Sequence, residues 1–150
     1  MKAKYALRAL GILARVHPGR LQARLIAREA QVPEKFLETI LVDLRRAGLL
    51  ASTRGPAGGH ALARPAAEVM VGDVIRAIDG PLAPIRCASV SAYRPCADCP
   101  DPGACGLRLL MADVREAMSG VLDRHSLAQF AAPTPTRPAA AAPGAAHAPP

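Results

Sequence analysis

Apolar residues along the first half of the chain recur at the spacing of helix faces. Between residues 2 and 16, Ala6, Leu10 and Leu13 fall on one side, flanked by Tyr5, Ala9, Ile12 and Val16. This predicts a helix that Pro18-Gly19 ends. A second helix is expected over Leu21 to Ala30, with Leu21, Leu25 and Ile26 inward and Arg24, Arg28 and Glu29 outward. After the break Gln31-Val32-Pro33, Pro33 suits the first turn of a third helix, because the N–H it lacks has no helical partner there. Glu34 in that turn favours the positive end of the helix dipole. Phe36, Leu37, Ile40, Leu41 and Leu44 form one apolar stripe, Arg45 and Arg46 occupy the last turn, and Gly48 stops the helix. Two short helices joined by a tight turn make a helix-turn-helix.

The next stretch, LLASTRGPAGGHALAR, changes period. Leu49 to Thr53 reads as a strand, RGPAGG as a glycine-rich turn, and His60 to Ala63 as the returning strand. A hairpin directly after a helix-turn-helix is a wing. Val69 to Ile78 reads as another short helix with Val74, Ile75 and Ile78 buried, closed by Gly80-Pro81. The segment 84–105 carries Pro84, Pro95, Pro100 and Pro102, which argues against regular structure inside it. From Gly106 to Leu122 a helical stripe returns: Leu107, Leu110, Met111, Val114, Met118, Val121 and Leu122. The first 80 residues suffice for a core of their own, so this long helix is expected to pair with a second copy. The last twenty residues hold fifteen Ala or Pro and predict a disordered tail.

The reading is therefore a mainly α fold: a winged helix-turn-helix over 1–80, a cysteine-rich loop over 81–105, a dimerisation helix and end segment over 106–130, and the tail over 131–150. No run of 18 or more apolar residues suggests a membrane span. Arg8 and Arg15 interrupt any signal-peptide core, so a cytoplasmic location is expected.

Charge sharpens the picture. The net charge is +7. Residues 1–60 carry eleven Lys/Arg against four Asp/Glu, whereas residues 61–150 carry eight of each. The whole excess sits on the helix-turn-helix and wing, which points to a polyanion partner, double-stranded DNA. A recognition helix presents its N-terminal outward residues to base edges, here Glu34, Lys35, Glu38 and Thr39. Glu38 suits a cytosine amino group, and Lys35 suits guanine or phosphate. Arg45, Arg46, Arg24 and Arg28 suit phosphates, and Arg54 at the wing turn suits a minor groove. His60 is expected on the wing surface or facing DNA, and His125 in a structural role.

All four cysteines fall within 19 residues, as Cys87-x8-Cys96-x2-Cys99-x5-Cys105. In a reducing compartment such clustering indicates metal ligation or redox chemistry. Thiolates select zinc or iron–sulfur clusters, and the spacing does not separate the two. A thiol–disulfide switch of Cys96 and Cys99 also fits. Cys105, at or just before the long helix, stands where a helix dipole lowers a thiol pKa. A Cys-x-x-Cys redox enzyme would need a thioredoxin-like βαβ context, and prolines and turns stand there instead. Without a nucleophile–base pair, phosphate loop or paired catalytic carboxylates, the sequence argues against an enzyme.

The stretches KAKYALRALGILA, FLETILVDLRRAGLLASTRGPAGGHALAR and VGDVIRAIDGP, followed by the late cysteines and VLDRHSLAQF, resemble the winged-helix transcriptional regulators of the IscR, NsrR and RirA type, the Rrf-two family. The resemblance spans about residues 1–130. It implies a homodimeric winged helix that binds a pseudo-palindromic operator, with Glu38 and Arg54 at positions of base reading and minor-groove insertion. It also implies an iron–sulfur cluster, 2Fe-2S or 4Fe-4S, whose state changes DNA affinity and so reports iron–sulfur, redox or nitric oxide status. The chain departs from the family in its fourth ligand. IscR-like members place a His three residues after the last cysteine, where this chain has Arg108. NsrR-like members use an acid of the first helix, but no acid precedes Glu29. Either Cys87, Cys96, Cys99 and Cys105 form an all-cysteine site, or three bind and one position stays open. Zinc in the same loop is the alternative.

Overall fold

Two tight corners set the reading head. At the end of α2 (Ala23–Ala30), Gln31 takes the left-handed conformation (φ 55°), and Val32 N–H donates to the Ala27 carbonyl at 3.0 Å. At the end of α3 (Glu34–Arg46), Gly48 does the same (φ 72°). There Leu49 N–H reaches Leu44 O, and Gly48 N–H reaches Arg45 O, both at 3.0 Å. Each corner satisfies carbonyls that a helix end leaves unpaired, and the second buries Leu44 against Leu49. Pro33 sits one residue earlier than expected, as the N-cap of α3.

The computed structural model describes residues 2–133. It is mainly helical, with one antiparallel hairpin. α1 (Lys2–Val16) precedes α2 and α3. β1 (Leu50–Thr53) and β2 (Gly59–Leu62) follow, then α4 (Val71–Asp79), α5 (Gly106–Leu122) and α6 (Leu127–Ala131), with single 3-10 turns at Ala66–Glu68 and Arg86–Ala88. The hairpin pairs Leu50 with Leu62 and Thr53 with Gly59.

The core lies between α1, α2, α3, α4 and the base of the wing. Leu10, Leu13, Ile26, Leu37, Ile40, Leu44, Val69 and Val74 are fully buried there. Two expected inward residues stay at the surface: Leu25 is 37 % exposed and Phe36 36 %. The inward side of α2 is made instead by Ile26, Ala27 and Ala30. Phe36 meets Tyr5 edge-on with ring centroids 5.5 Å apart. Ile75 and Ile78 are half-buried, while Val74 is buried.

The first 80 residues do not close this core alone. Leu127 is fully buried in it. The chain returns from α5 through a short bridge, where Leu127 N–H donates to Val69 O (2.7 Å) and Val71 N–H to His125 O (2.9 Å). His125 thus serves through its backbone carbonyl, and its side chain is exposed. A capping box then starts α6: Ser126 Oγ accepts from Gln129 N–H, and Gln129 Oε1 accepts from Ser126 N–H. Phe130 lies 3.4 Å from where a side chain at Gly11 of α1 would begin. Ala131, the expected start of the tail, is the buried last residue of α6, and the tail reading from 134 onward falls outside the described residues.

Candidate nucleic-acid interface and thiol loop

On α3, Glu34, Lys35, Glu38, Thr39, Arg45 and Arg46 are all exposed, as are Arg24 and Arg28 of α2 and Arg54 of the wing turn. They share one face of the reading head only in part. Glu38, Leu41, Val42 and Arg45 form the side of α3 turned to the wing. With Ala23, Ser52 and His60 they line an open cleft of about 210 Å³. Lys35, Thr39, Arg46, Arg28 and Arg54 do not line it. Thr39 Oγ1 turns back to the Lys35 carbonyl at 3.5 Å.

The wing is held by the residues just before α2, where Leu21, expected to open that helix, lies outside it in a bridge to the wing. Leu21 pairs with His60 in both directions: its N–H donates to His60 O at 3.0 Å, and His60 N–H donates to Leu21 O at 2.8 Å. Arg20 donates to the Thr53 hydroxyl. Gly59 makes the approach possible. Its φ is 141°, and a Cβ there would lie 2.7 Å from the Leu21 carbonyl oxygen. Burial, and then the charge of Arg45, lower the pKa of His60 below the ordinary imidazole value.

The cysteine loop lies between α4 and α5. Cys87 is buried, Cys99 and Cys105 are half-buried, and Cys96 is exposed; all four are free thiols. They lie close enough to shift one another's titration. A hydrogen bond with the Cys87 thiol is the main cause that raises the Cys96 pKa. Desolvation, and then a hydrogen bond with Cys105, raise that of Cys99. Cys105 is the N-cap of α5. Its pKa is lowered first by the backbone N–H of Arg108, then by the Cys99 thiol, the Leu107 N–H and the Arg108 charge. This is the helix-start environment that stabilises a thiolate. Among the described residues, no three His, Cys, Asp or Glu side chains converge tightly enough to hold a metal ion. The donor set suits a soft metal centre in kind: four thiols in one loop, with one anionic position favoured at a helix start.

Two arginines of α5 hold the loop by its carbonyls. Arg108 donates from Nε to Cys87 O at 3.0 Å and from a terminal nitrogen to Pro102 O at 3.3 Å, with its guanidinium 6.0 Å from the Tyr93 ring centre. Arg115 donates to Ala88 O at 2.6 Å. Arg108 stands where a histidine ligand was sought by resemblance, and here it clamps backbone instead. The signal available in the sequence was two basic residues seven apart on one helix.

At its other end α5 is tied to α4. Arg76 pairs with both carboxylate oxygens of Asp123 at 2.7 Å, and Asp73 stands nearby. This hydrogen-bonded pairing holds Asp123 below the usual carboxylate range. Gly72 leaves room for it, since a Cβ there would fall 1.9 Å from the Asp123 oxygen. Between these ties α5 buries none of its residues. Leu107 is 59 % exposed, Leu110 56 % and Val121 66 %.

A cationic helix-turn-helix with a pinned, glycine-turned wing defines a winged-helix DNA-binding protein rather than an enzyme. The sequence profile of Rrf2, described as an iron-dependent transcriptional regulator, matches residues 1–133, and the chain belongs to this family. A Rhodobacter capsulatus protein that carries the name rrf2-like HTH-type transcriptional regulator is 47 % identical over 117 residues, covering 75 % of this chain and 78 % of that one. The HTH-type transcriptional regulator IscR of Serratia proteamaculans is 32 % identical over 130 residues, 86 % of this chain and 76 % of that one. The solved structure of CymR, the global cysteine regulator of B. subtilis, superposes with a TM-score of 0.70 at 31 % identity, covering 87 % and 93 % of the two chains. Among the described residues, no helix is long and apolar enough to cross a membrane.

Proposed function

We propose that this DNA-binding transcriptional regulator works as a homodimer whose operator affinity follows the state of an iron–sulfur cluster held by Cys87, Cys96, Cys99 and Cys105. The observation that carries the reading is the place of the thiols: all four lie in the segment joining the reading head to α5, with Cys105 capping α5 itself. A cluster bound there supplies a crosslink among the four sulfurs that oxidation or nitric oxide alters. The chain's own residues relate that loop to the reading head. Arg108 and Arg115 tie loop backbone to α5, and Arg76 ties α5 to α4 beneath the head. The exposed leucines and valines of α5 serve as the contact with a second copy, because such a face is costly to leave in water. Two heads then sit about one DNA turn (~34 Å) apart on a two-fold operator. Lys35, Glu38 and Thr39 read bases, while Arg28, Arg45 and Arg46 hold phosphates and Arg54 enters the minor groove. The description of the family profile as an iron-dependent transcriptional regulator supports an iron centre in this loop.

The clustered thiols also suit a disulfide switch, and zinc suits the same four sulfurs. Anaerobic purification with a visible spectrum and counts of iron, sulfide and zinc separates these. Brown protein with acid-labile sulfide, lost in Cys→Ser variants, is the expected outcome. Colourless protein with one zinc per chain overturns the cluster reading.

A further inference from the structure

His60 is the one imidazole in the cleft between the recognition helix and the wing. Its position follows from the sheet. Its backbone N–H and carbonyl are spent on Leu21, so opposite Ser52 it forms the non-hydrogen-bonded kind of antiparallel pair. Side chains are closest in such pairs. Ser52 Oγ accordingly lies 2.9 Å from His60 Nδ1. This fixes the ring and leaves Nε2 as its uncommitted nitrogen. From α3 the charged groups facing the cleft are Arg45 and Glu38; β1 and α2 add only the uncharged Ser52 and Ala23, with the Leu21 backbone behind.

We infer that His60 is a DNA-backbone contact that binds as the imidazolium, so that operator binding takes up a proton at the wing. The inference rests on the reading that α3 enters a major groove and the wing tip the adjacent minor groove. Those two grooves are separated by one sugar–phosphate strand, and that strand must pass over the cleft between α3 and the wing. Arg45 on one wall and His60 on the other then face the same phosphates. A neutral imidazole with Nδ1 committed to Ser52 offers a phosphate at most one weak interaction, whereas the imidazolium donates a charge-assisted hydrogen bond. In the free protein, burial and Arg45 disfavour that proton. A phosphate cancels the Arg45 influence by pairing with it and adds a negative charge beside the ring, which outweighs the further burial that docking brings. The sign follows. The imidazolium is less favoured in the free chain than in the complex, so affinity rises as pH falls between the two pKa values, by at most roughly tenfold per pH unit for each proton taken up.

The test is a fluorescence-anisotropy titration of a duplex selected by the wild-type protein from a random-sequence library, at fixed salt across pH 5.5 to 8.5 (about the span of imidazole titration). Wild type is compared with His60→Gln, His60→Arg and Lys35→Ala, each checked for folding by circular dichroism. The expected result is a wild-type affinity that rises as pH falls, a reduced slope in His60→Gln, and tight binding with the same reduced slope in His60→Arg. A wild-type affinity independent of pH, or a His60→Gln slope equal to wild type, overturns the assignment. Lys35→Ala reports on the underlying interface. If it leaves affinity unchanged, α3 is not in the groove, and the assignment of His60 falls with that reading rather than by itself.

Discussion

The reading head and the arm beyond it are both built from amphipathic helices, but they complete themselves by different means. In the head, the last turns of α2 and α3 are closed by local corners, the apolar faces meet, and side chains such as Leu10, Ile40 and Leu127 are fully buried. In the arm, α5 buries no residue. Its ties to the rest of the chain are polar: arginine to loop carbonyls at one end and arginine to carboxylate at the other. A region closed by packing has a single arrangement, whereas one closed by a few exposed polar contacts can be reset by small energies. That is the division a sensor needs. On the proposed dimeric reading, the part that reads DNA stays fixed, and the part that would set the distance between two copies remains adjustable.

Several substitutions would break or sharpen this contrast. The largest effect is expected from Leu110→Glu on the exposed face of α5. A carboxylate placed in an apolar contact costs several kcal/mol per ion, so sedimentation should find monomer while the far-ultraviolet spectrum stays unchanged. A variant that stays dimeric would remove α5 from the interface. Next comes Leu127→Ala, the residue through which the returning chain closes the head. A fully buried leucine lost to alanine costs about 2–5 kcal/mol, read as a lower denaturant midpoint. A cost under about 1 kcal/mol would mean that the first 80 residues are self-sufficient after all.

Arg108→Met should matter less. It removes two donors from Cys87 and Pro102 carbonyls, worth about 1 kcal/mol in a half-exposed setting. Amide exchange between residues 87 and 105 should quicken severalfold while the head is unaffected. The smallest effect belongs to Asp123→Asn. Its partner Arg76 is 35 % exposed and Asp123 41 %, so at neutral pH the loss should stay under about 1 kcal/mol. Because pairing holds Asp123 below its unfolded value near 3.9, this contribution is present above that value and fades as pH falls through the lowered one. Unfolding curves of wild type and variant should converge in acid.

The same contrast explains what the sequence made legible. Periodicity and punctuation are local, and they located α1, α3, the hairpin and α5; the expected limits of α5 at 106 and 122 match the structure. What they missed was long-range. The spacing of Ser126 and Gln129 carries a capping-box signal, but nothing local says that α6 returns to α1. The pairing of Leu21 with His60 joins residues far apart in sequence through Gly59, and only the folded corner makes it visible. The roles of Arg108 and Arg115 were not legible because their partners are backbone carbonyls, which every residue has. The thiols were conspicuous by composition, although the burial of Cys87 against the exposure of Cys96 required the loop's path.

The most direct measurement is an operator titration at matched salt with cluster-loaded protein, with the same protein stripped of its metal, and with the four cysteines changed to serine. Coupling between the thiol loop and the reading heads predicts that loaded and stripped affinities differ by roughly 5- to 150-fold, about 1–3 kcal/mol. The serine variant should bind like the stripped protein. Equal binding by all three would contradict it, leaving a DNA-binding head whose cysteines have no part in its control.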